Sequence, residues 1–422
     1  MRVPLSWLSE FTELPNDAKP EQLMAELVKV GLEEEDEHYF EISGPVVVGK
    51  VVEFVDEPQS NGKTIRWCQV DVGESEPRGI VCGASNFEQG DKVVVTLPGS
   101  VLPGDFAIAA RETYGHVSDG MIASVKELGM GDDHEGILVL STLGLEPELG
   151  EDAIKLLGLD DSAAEINVTP DRGYCFSIRG VAREYSHATA TKFTDPAAIE
   201  PVSGEGFELK IEDKSPIRGK PGCSRFDLVE LSEIDASAPT PAWMVSRLKL
   251  AGMRSISLVV DVTNYVMLET GQPTHAYDLD LLKGGITVRR ANKGEKLKTL
   301  DGQIRELHEE DLLITDESGP IGIAGVMGGE STEVSSKTKR VLIEAANFDP
   351  ISIARSARRH KLPSEASKRF ERGVDPLVAD RAIARIAALL GEYGSAKLTG
   401  FGAGFRQLET ISEIELPLDF AS

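Results

Sequence analysis

The chain has 422 residues, of which 41% are hydrophobic and 27% are charged, a balance typical of folded globular domains. At this length we expect about three domains. The 44 Lys and Arg against 70 Asp and Glu give a net charge of −26, which argues against a protein that coats nucleic acid non-specifically but allows a local basic groove.

The cysteines and the apolar runs exclude further classes of protein. The 4 cysteines lie far apart and form no Cys-x-x-Cys pair, so the sequence predicts neither a disulfide framework nor a zinc site. No apolar run approaches the roughly 18 residues needed to span a bilayer. Residues 1–7 lack the apolar core of a secretion signal. We therefore expect a soluble, cytoplasmic protein that does not contact a membrane.

The first residues, 1–39, are predicted to form a small helical segment. Its main helix is expected over residues 20–30, where leucines recur on one face and Gly31 follows as a stop signal. The acidic run of residues 33–37 is interpreted as a solvated connector.

From residue 45 the pattern changes to that of strands. Apolar, β-branched stretches separated by Asn-Gly, Gly and Pro signals predict about five short strands over residues 40–149. This is the strand content of a small barrel. The acidic cluster from Asp132 to Glu135 could suggest a metal site, but a surface turn is the preferred interpretation.

The remaining chain mixes helices and strands, a pattern that indicates an α+β class. Residues 150–200 are predicted to be helical, and residues 207–400 form the largest region. Within that region we expect a helix after Pro241, a buried strand over residues 257–260 and a final helix from Pro376.

A strand followed by a basic helix stands out in this largest region. The apolar run 341–343 predicts a buried strand, which the carboxylate of Glu344 interrupts. A helix is predicted to begin at Asp349 and to end before Pro363. Residues 355–372 hold five Arg, two Lys and two Glu, a net charge of +5. The pattern suggests a polyanion site, but on these residues alone the preferred interpretation is a solvated helix face with Glu344 paired to an arginine.

Three sets of motifs resemble one protein family. VVVGKVVEFV, GIVCGASNFEQGDKVVVTLPGSVLPGDFAI and GHVSDGMIASVKELGMGDDHEGILVL resemble the oligonucleotide-binding (OB-fold) barrel of tRNA-binding domains and of bacterial phenylalanyl-tRNA synthetase β subunits. INVTPDR and SIRG resemble the end of the first domain of the same subunits. VVDVTNYVMLETGQPTHAYDLD, GPIGIAGVMGGE, VLIEAANFDP and EASKRFERGVDP resemble their B3/B4 region, which hydrolyses mischarged Tyr-tRNA(Phe).

The resemblance implies an α+β multidomain fold. An OB-fold β-barrel of the tRNA-binding type, residues 40–149, would be inserted in a small α/β first domain made of residues 1–39 and 150–200. A larger mixed α+β B3/B4 editing domain would follow over residues 207–400. Residues 401–422 would begin a further domain, which we expect to continue beyond the end of this sequence.

The resemblance also implies an editing site, carried over residue by residue. Glu344 occupies the position that reads the tyrosyl hydroxyl. His275 occupies a position from which it would activate water or bind the terminal ribose, and both residues are predicted to be catalytic. The predicted substrate-binding residues are Thr263, Gly328, Ala366 and Ser364, the last replacing the threonine usual in the family.

Contacts with the RNA are predicted on the basic stretch. The candidates for binding phosphates of the acceptor end are Arg355, Arg358, Arg359 and Lys368, with an ion-paired, solvated face as the alternative for each. The barrel has few Lys and Arg, so a spacer or docking role remains open for it beside tRNA contact.

The implied function is that of the β subunit of phenylalanine–tRNA ligase, here carrying editing but not aminoacylation. The implied partners are the α subunit, in a tetramer of two α and two β subunits, and tRNA(Phe). ATP and Mg2+ are expected for the complete ligase, and neither a cofactor nor a metal is expected for this chain. The alternatives are a non-catalytic tRNA-binding or assembly module and a free-standing deacylase.

Overall fold

The computed structural model describes residues 1–408, 413–417 and 419–420. In chain order the strands are β1 (Arg2–Pro4), β2 (Glu33–Tyr39), β3 (Val46–Pro58), β4 (Thr64–Asp71), β5 (Arg78–Cys82), β6 (Lys92–Thr96), β7 (Val101–Leu102), β8 (Phe106–Ala107), β9 (Arg111–Thr113), β10 (His116–Ser118), β11 (Met121–Ile122), β12 (Ser162–Asn167), β13 (Glu205–Gly206), β14 (Leu209–Glu212), β15 (Cys223–Ser232), β16 (Thr274–Asp278), β17 (Ile286–Arg290), β18 (Lys296–Lys298), β19 (Ile304–Glu306), β20 (Leu312–Asp316), β21 (Gly319–Ile323), β22 (Met327–Gly328), β23 (Val341–Phe348) and β24 (Lys397–Arg406).

The α-helices in chain order are α1 (Leu5–Leu8), α2 (Pro20–Val28), α3 (Ala153–Leu156), α4 (Ile178–Thr189), α5 (Ala242–Leu250), α6 (Leu258–Thr270), α7 (Pro350–His360), α8 (Glu365–Arg372) and α9 (Ala379–Gly394). Short 3-10 helices cover Leu140–Leu143, Pro170–Cys175 and Glu330–Thr332.

The chain packs as two compact units, each made of several segments. The first unit comprises Met1–Ala198, Asp235–Gly271 and Ala388–Ser395. The second comprises Ile199–Ile234, Gln272–Ala387 and the described part of Ala396–Ser422. Helices α5 and α6, which lie inside the 207–400 region, therefore pack within the first unit.

A three-stranded sheet joins the two ends of the first unit's long segment. Its order is β1–β12–β2, and both pairs are antiparallel. The prediction of a connector over residues 33–37 was wrong, because β2 pairs with β12 along its whole length. Most of its side chains are exposed, so the sequence of β2 lacks the alternation of apolar and polar residues that would indicate a strand. Charged residues of this kind commonly protect a sheet edge. The helical prediction for residues 150–200 is confirmed for α3 and α4 but missed β12.

The predicted barrel is confirmed as a five-stranded antiparallel sheet of order β11–β6–β3–β4–β5. Its two edges nearly meet: the Asp119 N–H donates to the Gly79 carbonyl at 2.9 Å, and the Val81 N–H donates to the Ser118 hydroxyl at 3.0 Å. Closure of this kind removes exposed strand edges. Its interior holds buried apolar side chains, among them Val51, Cys68, Val70, Ile80, Phe87, Val93, Val95 and Ile122.

The second unit contains two five-stranded mixed sheets, of order β13–β24–β15–β23–β16 and β14–β17–β20–β21–β22. Their shared core includes Phe226, Leu228, Leu342 and Phe348. Strand β23 confirms the predicted buried strand and extends it to Phe348. The α+β fold class is therefore confirmed, with the barrel preceding the mixed domain. The predicted boundary after residue 400 falls inside β24.

Helix boundaries agree with the local signals in some places and differ in others. Helix α7 ends before Pro363 as predicted, and the Asp349 carboxylate accepts a hydrogen bond from the Ser352 N–H at 2.8 Å. The strand predicted over residues 257–260 is instead the start of α6. A short apolar run does not distinguish a buried strand from a buried helix, and the Asp261 carboxylate anchors this helix start by accepting from the Ile256 N–H at 2.8 Å.

The alternation of Ile414, Leu416 and Leu418 in the sequence predicts a strand near the end of the chain, and the structure differs from this prediction. The described residues 413–417 contain no strand, and Ile414 is 88% exposed. Leu418, part of the same predicted strand, lies outside the described residues. Across the part of the chain that the structure describes, no helix is long and apolar enough to cross a membrane.

Candidate functional site

A cavity of about 210 Å³ lies within the second unit. It brings together four of the predicted site residues, His275, Gly328, Glu344 and Ala366. Most of the remaining lining is apolar, and it includes Leu300, Ile314, Ile323, Val326, Met327, Phe348 and Phe370. The volume lies below the roughly 300 Å³ at which pockets for drug-sized ligands begin. The cavity is therefore suited to a single amino-acid side chain.

The polar residues of the cavity come from two neighbouring strands. In the antiparallel pair β16–β23, His275 lies opposite Glu344, and Tyr277 lies opposite Leu342. Because alternate side chains of a strand point to the same face, this register places the side chains of His275, Tyr277 and Glu344 on the face that carries Leu342 and Phe348.

Glu344 is a buried carboxylate, with 5% of its surface exposed. The hydroxyl of Tyr277 donates a hydrogen bond to Oε2 of Glu344. Within the described residues, no group donates a hydrogen bond to Oε1 of Glu344. The interpretation in which Glu344 pairs with a neighbouring arginine was therefore wrong. Burial raises the pKa of Glu344 from 4.5 to about 7, and the hydrogen bond from Tyr277 acts in the opposite direction.

His275 presents a neutral ring to the cavity. Burial lowers its pKa from 6.5 to about 4, so the imidazole is uncharged at neutral pH. Its Nε2 is buried and has no hydrogen-bond partner within residues 1–408 or the short described segments beyond. The ring lies edge-on to Tyr277, with 4.6 Å between the ring centroids. A neutral imidazole with an unused nitrogen can bind or orient water.

Two glycines of the GVMGG stretch are required by close packing. A Cβ at Gly328 would lie 2.5 Å from Cε1 and 2.8 Å from Nε2 of His275. Gly325 has a φ of +64°, and a Cβ there would lie 2.9 Å from the ring of Phe370. From the sequence alone, glycines in this motif are expected to permit close approach of the backbone to substrate. The structure adds a second reason, which is that the protein's own rings approach this backbone.

The other predicted substrate-binding residues lie outside the cavity lining. The Ser364 hydroxyl accepts from the Ser367 N–H at 3.0 Å, which caps α8, and donates to the Val326 carbonyl at 2.8 Å. Thr263 belongs to α6 in the first unit, where its hydroxyl donates to the Val260 carbonyl at 2.8 Å.

Ion pairs occupy much of the predicted basic surface. Arg355 and Arg359 each contact the Glu310 carboxylate at 2.7 Å. Arg359 also contacts the buried Asp311. None of the basic candidates lines the cavity. Arg358 is the most exposed, with 75% of its side chain accessible and Glu371 at 3.8 Å, and Lys368 lies 3.9 Å from Glu365.

Tyr277 lines the cavity without having been among the predicted site residues, although it occurs in the THAYD motif. One signal was available: Tyr277 follows His275 by two residues in a predicted strand, so both side chains share a face. Its bond with Glu344 depends on the pairing of strands far apart in the chain. Phe348 and Phe370 were missed for the same reason.

The arrangement can recognise an aromatic ring that carries a hydroxyl group. Apolar walls accommodate the ring, and Glu344 offers an acceptor within them. The lining that the structure describes contains neither serine nor cysteine, and its hydroxyl groups belong to Thr274 and Tyr277. Hydrolysis of an already activated ester needs only an oriented water.

Comparisons with known proteins match both parts of the chain. Residues 46–145 match the family model described as a putative tRNA binding domain. Residues 222–395 match the model described as a B3/4 domain, and every residue that lines the cavity falls within that range.

Several curated relatives have the same name, phenylalanine–tRNA ligase beta subunit. The protein of Leifsonia xyli subsp. xyli is 63% identical over 100% of this chain and 52% of its own length. That of Bifidobacterium longum is 52% identical over 94% of this chain and 49% of its own length. That of Streptomyces avermitilis is 54% identical over 92% of this chain and 47% of its own length. The chain thus spans about half the length of the curated relatives it matches.

A solved structure, an N-terminal fragment of the phenylalanyl-tRNA synthetase beta subunit from Pyrococcus horikoshii, also matches. It is 15% identical, covering 52% of this chain and 71% of that chain, and its TM-score of 0.27 is too low for a comparison of folds. The two domain matches and the high identity to bacterial relatives agree with the motifs. By sequence, the chain is similar to phenylalanine–tRNA ligase beta subunits over about half of their length, and it matches the models of the putative tRNA binding domain and the B3/4 domain.

Proposed function

We propose that this chain is the editing part of a phenylalanine–tRNA ligase beta subunit and hydrolyses tyrosine wrongly esterified to tRNA(Phe). The observation that carries the proposal is the buried carboxylate of Glu344, whose Oε1 has no donor among the described residues inside an apolar cavity. The names of the relatives and the B3/4 match support the same reading.

The need for such a site follows from the chemistry of the two amino acids. A pocket made for phenylalanine cannot strongly reject tyrosine, which only adds a hydroxyl group. A second site can require that hydroxyl instead. The tyrosyl phenol would donate to Glu344, whereas a phenylalanyl ring would leave the buried acceptor unpaired at a cost of about 1–3 kcal/mol.

The remaining residues have supporting roles in this proposal. His275 would orient or activate the water that attacks the ester, or bind the terminal ribose. Gly328 and Ala366 would shape the wall of the cavity. Ser364 would act indirectly, because its hydroxyl already caps α8 and contacts Val326. Thr263 remains a predicted substrate contact.

The proposal extends to the whole ligase. This chain would assemble with α subunits into a tetramer of two α and two β subunits that charges tRNA(Phe) in the cytoplasm. The α subunit would form the aminoacyl adenylate with ATP and Mg2+, and no residue of this chain is assigned to either. Among the basic candidates for tRNA contact, Arg358 and Lys368 are more accessible than Arg355 and Arg359.

A second candidate function is that of a non-catalytic tRNA-binding or assembly module. The match of residues 46–145 to a putative tRNA binding domain favours it. In that case the second unit would serve as a scaffold, and its cavity would not hydrolyse an aminoacyl ester.

Incubation with charged tRNA separates the two candidates. The chain should hydrolyse Tyr-tRNA(Phe) and leave Phe-tRNA(Phe) nearly intact. Equal stability of both esters, together with measurable tRNA binding in a filter assay, would favour the assembly module.

A further inference from the structure

We infer that Tyr277 is a specificity-determining residue of this cavity. Its hydroxyl occupies Oε2 of Glu344 and leaves Oε1 as the acceptor offered to the hydroxyl of a tyrosyl group. The inference rests on the proposed function and deepens it, because it names the residue that prepares Glu344 for one donor.

The strand register explains why Tyr277 can reach Glu344. Tyr277 lies opposite Leu342 in the β16–β23 pair, so Glu344 is its diagonal neighbour on the same face. Diagonal neighbours of this kind lie about 7–8 Å apart, within reach of an aromatic side chain. Tyr277 is 1% exposed, and the His275 ring packs edge-on against it, so its ring is held in place.

The hydrogen bond from Tyr277 uses one of the two oxygens of the Glu344 carboxylate. An ionised carboxylate has two oxygens and accepts several hydrogen bonds. With Oε2 bound by Tyr277, the plane of the Glu344 carboxylate is fixed and Oε1 remains for a ligand. Without the hydroxyl of Tyr277, both oxygens would be unpaired in an apolar cavity, at a cost that grows with burial.

The charges around Glu344 support the same role. From β16 it faces His275, which is neutral because burial lowers its pKa, and Tyr277. From β15, Cys223 is close enough that the charge of Glu344 adds to burial in raising the pKa of the thiol. The cavity walls from β20 to β22 and from α8 are apolar or glycine. Tyr277 is therefore the donor that opposes burial and favours the ionised form of Glu344.

The first test measures the ionisation of Glu344 without any substrate. Infrared difference spectra of the whole chain against Glu344→Gln isolate the carboxyl signal across a pH titration. The Tyr277→Phe variant keeps the ring and removes only the hydroxyl, and its Glu344 titration midpoint should shift to higher pH. Tyr265→Phe is the matched control, because Tyr265 is also buried but its hydroxyl accepts from Arg247 at 3.1 Å. An unchanged midpoint in Tyr277→Phe would overturn the inference.

The second test measures specificity by single-turnover hydrolysis of Tyr-tRNA(Phe) and Phe-tRNA(Phe). Tyr277→Phe should lower the ratio of the two rates by about ten- to hundredfold, the effect of losing a hydrogen bond to a charged group. The loss should be largest near neutral pH and Tyr265→Phe should keep the ratio. An unchanged ratio, or an equal fall in both rates, would contradict a role in specificity. If the unsubstituted chain shows no preference between the esters, the proposed function fails, and the titration still decides the pairing with Glu344.

Discussion

His275 and Glu344 lie directly opposite each other on the antiparallel strands β16 and β23. This register places an imidazole, whose Nε2 has no partner in the part of the chain that the structure describes, beside a buried carboxylate on one face of the sheet. A shift of one residue between the strands would turn one of the two side chains to the opposite face. The candidate site therefore depends on strand pairing as much as on the identity of its residues.

Gly328→Ala should impair hydrolysis of the tyrosyl ester, because the added Cβ would overlap the His275 ring at 2.5 Å. Gly322→Ala is a matched control in the same cavity, where the nearest atoms would be at 3.7 Å. We expect overpacking at Gly328 to cost about 1–3 kcal/mol. Single-turnover rates and melting temperatures should fall for Gly328→Ala and remain near the original values for Gly322→Ala. Equal effects of the two substitutions would contradict this account of the His275 contact.

Glu344→Gln should stabilise the chain relative to the unsubstituted protein as pH rises. The folded protein binds the proton of Glu344 more tightly, with a pKa near 7 instead of 4.5. The unsubstituted chain therefore loses stability as pH rises from about 4.5 to about 7, by a total of about 3 kcal/mol. Glutamine does not ionise and loses none. The difference in melting temperature should grow in favour of Glu344→Gln across this interval, and a constant difference would show that Glu344 is not shifted.

Asp311→Asn should destabilise the second unit. Burial alone would raise the pKa of Asp311, but hydrogen bonds from His360, the His308 N–H and Ser356 outweigh it and lower the pKa to about 2. Removing the charge leaves its buried partners uncompensated, which typically costs about 3–5 kcal/mol. The cost should shrink as pH falls from 3.8 towards 2, where Asp311 itself becomes neutral.

Glu310→Gln is the matched control for Asp311→Asn, because Glu310 is next in sequence and pairs with two arginines but has 39% of its side chain exposed. Exposed pairs contribute about 0–1 kcal/mol. Urea denaturation should therefore separate the two variants clearly. Similar midpoints would mean that the Asp311 network contributes little to stability.

Arg358→Ala should weaken tRNA binding without unfolding the chain, because Arg358 is 75% exposed and its pair with Glu371 is long, at 3.8 Å. The salt dependence of binding should fall by about one counterion, as expected for one phosphate contact. Arg359→Ala should instead lower the melting temperature, since it contacts the buried Asp311. Filter binding at several salt concentrations measures the first effect, and an unchanged slope would remove Arg358 from the tRNA surface.

Parts of the fold were predictable because local signals agreed with the tertiary structure. The apolar run at 341–343 is buried, and Asp349 caps the helix that follows it. Other parts were not. Strand β2 has no fully buried side chain, so its pairing with β12 produces no alternation of apolar and polar residues in the sequence. The first residues of α6 are as apolar as those of a buried strand, and only the greater length of the whole element distinguishes the helix.

The candidate site was predictable as a set of residues but not as a geometry. Glu344, His275, Gly328 and Ala366 were identified from motifs and do line one cavity. The partner of Glu344 was not identified, because its contact joins strands separated by 67 positions in sequence. The register between strands that are distant in sequence is set by the packing of the whole sheet. No pattern of neighbouring residues in the sequence indicates it.

The most direct test is single-turnover hydrolysis of Tyr-tRNA(Phe) and Phe-tRNA(Phe) by the unsubstituted chain and by Glu344→Ala, with Glu344→Gln as a second variant that keeps the volume. Melting temperatures identify any variant that has lost its fold. The account predicts that the unsubstituted chain hydrolyses the tyrosyl ester much faster, and that the folded variants hydrolyse both esters at the slow phenylalanyl rate. A folded variant that still prefers the tyrosyl ester would contradict the claim that Glu344 reads the hydroxyl.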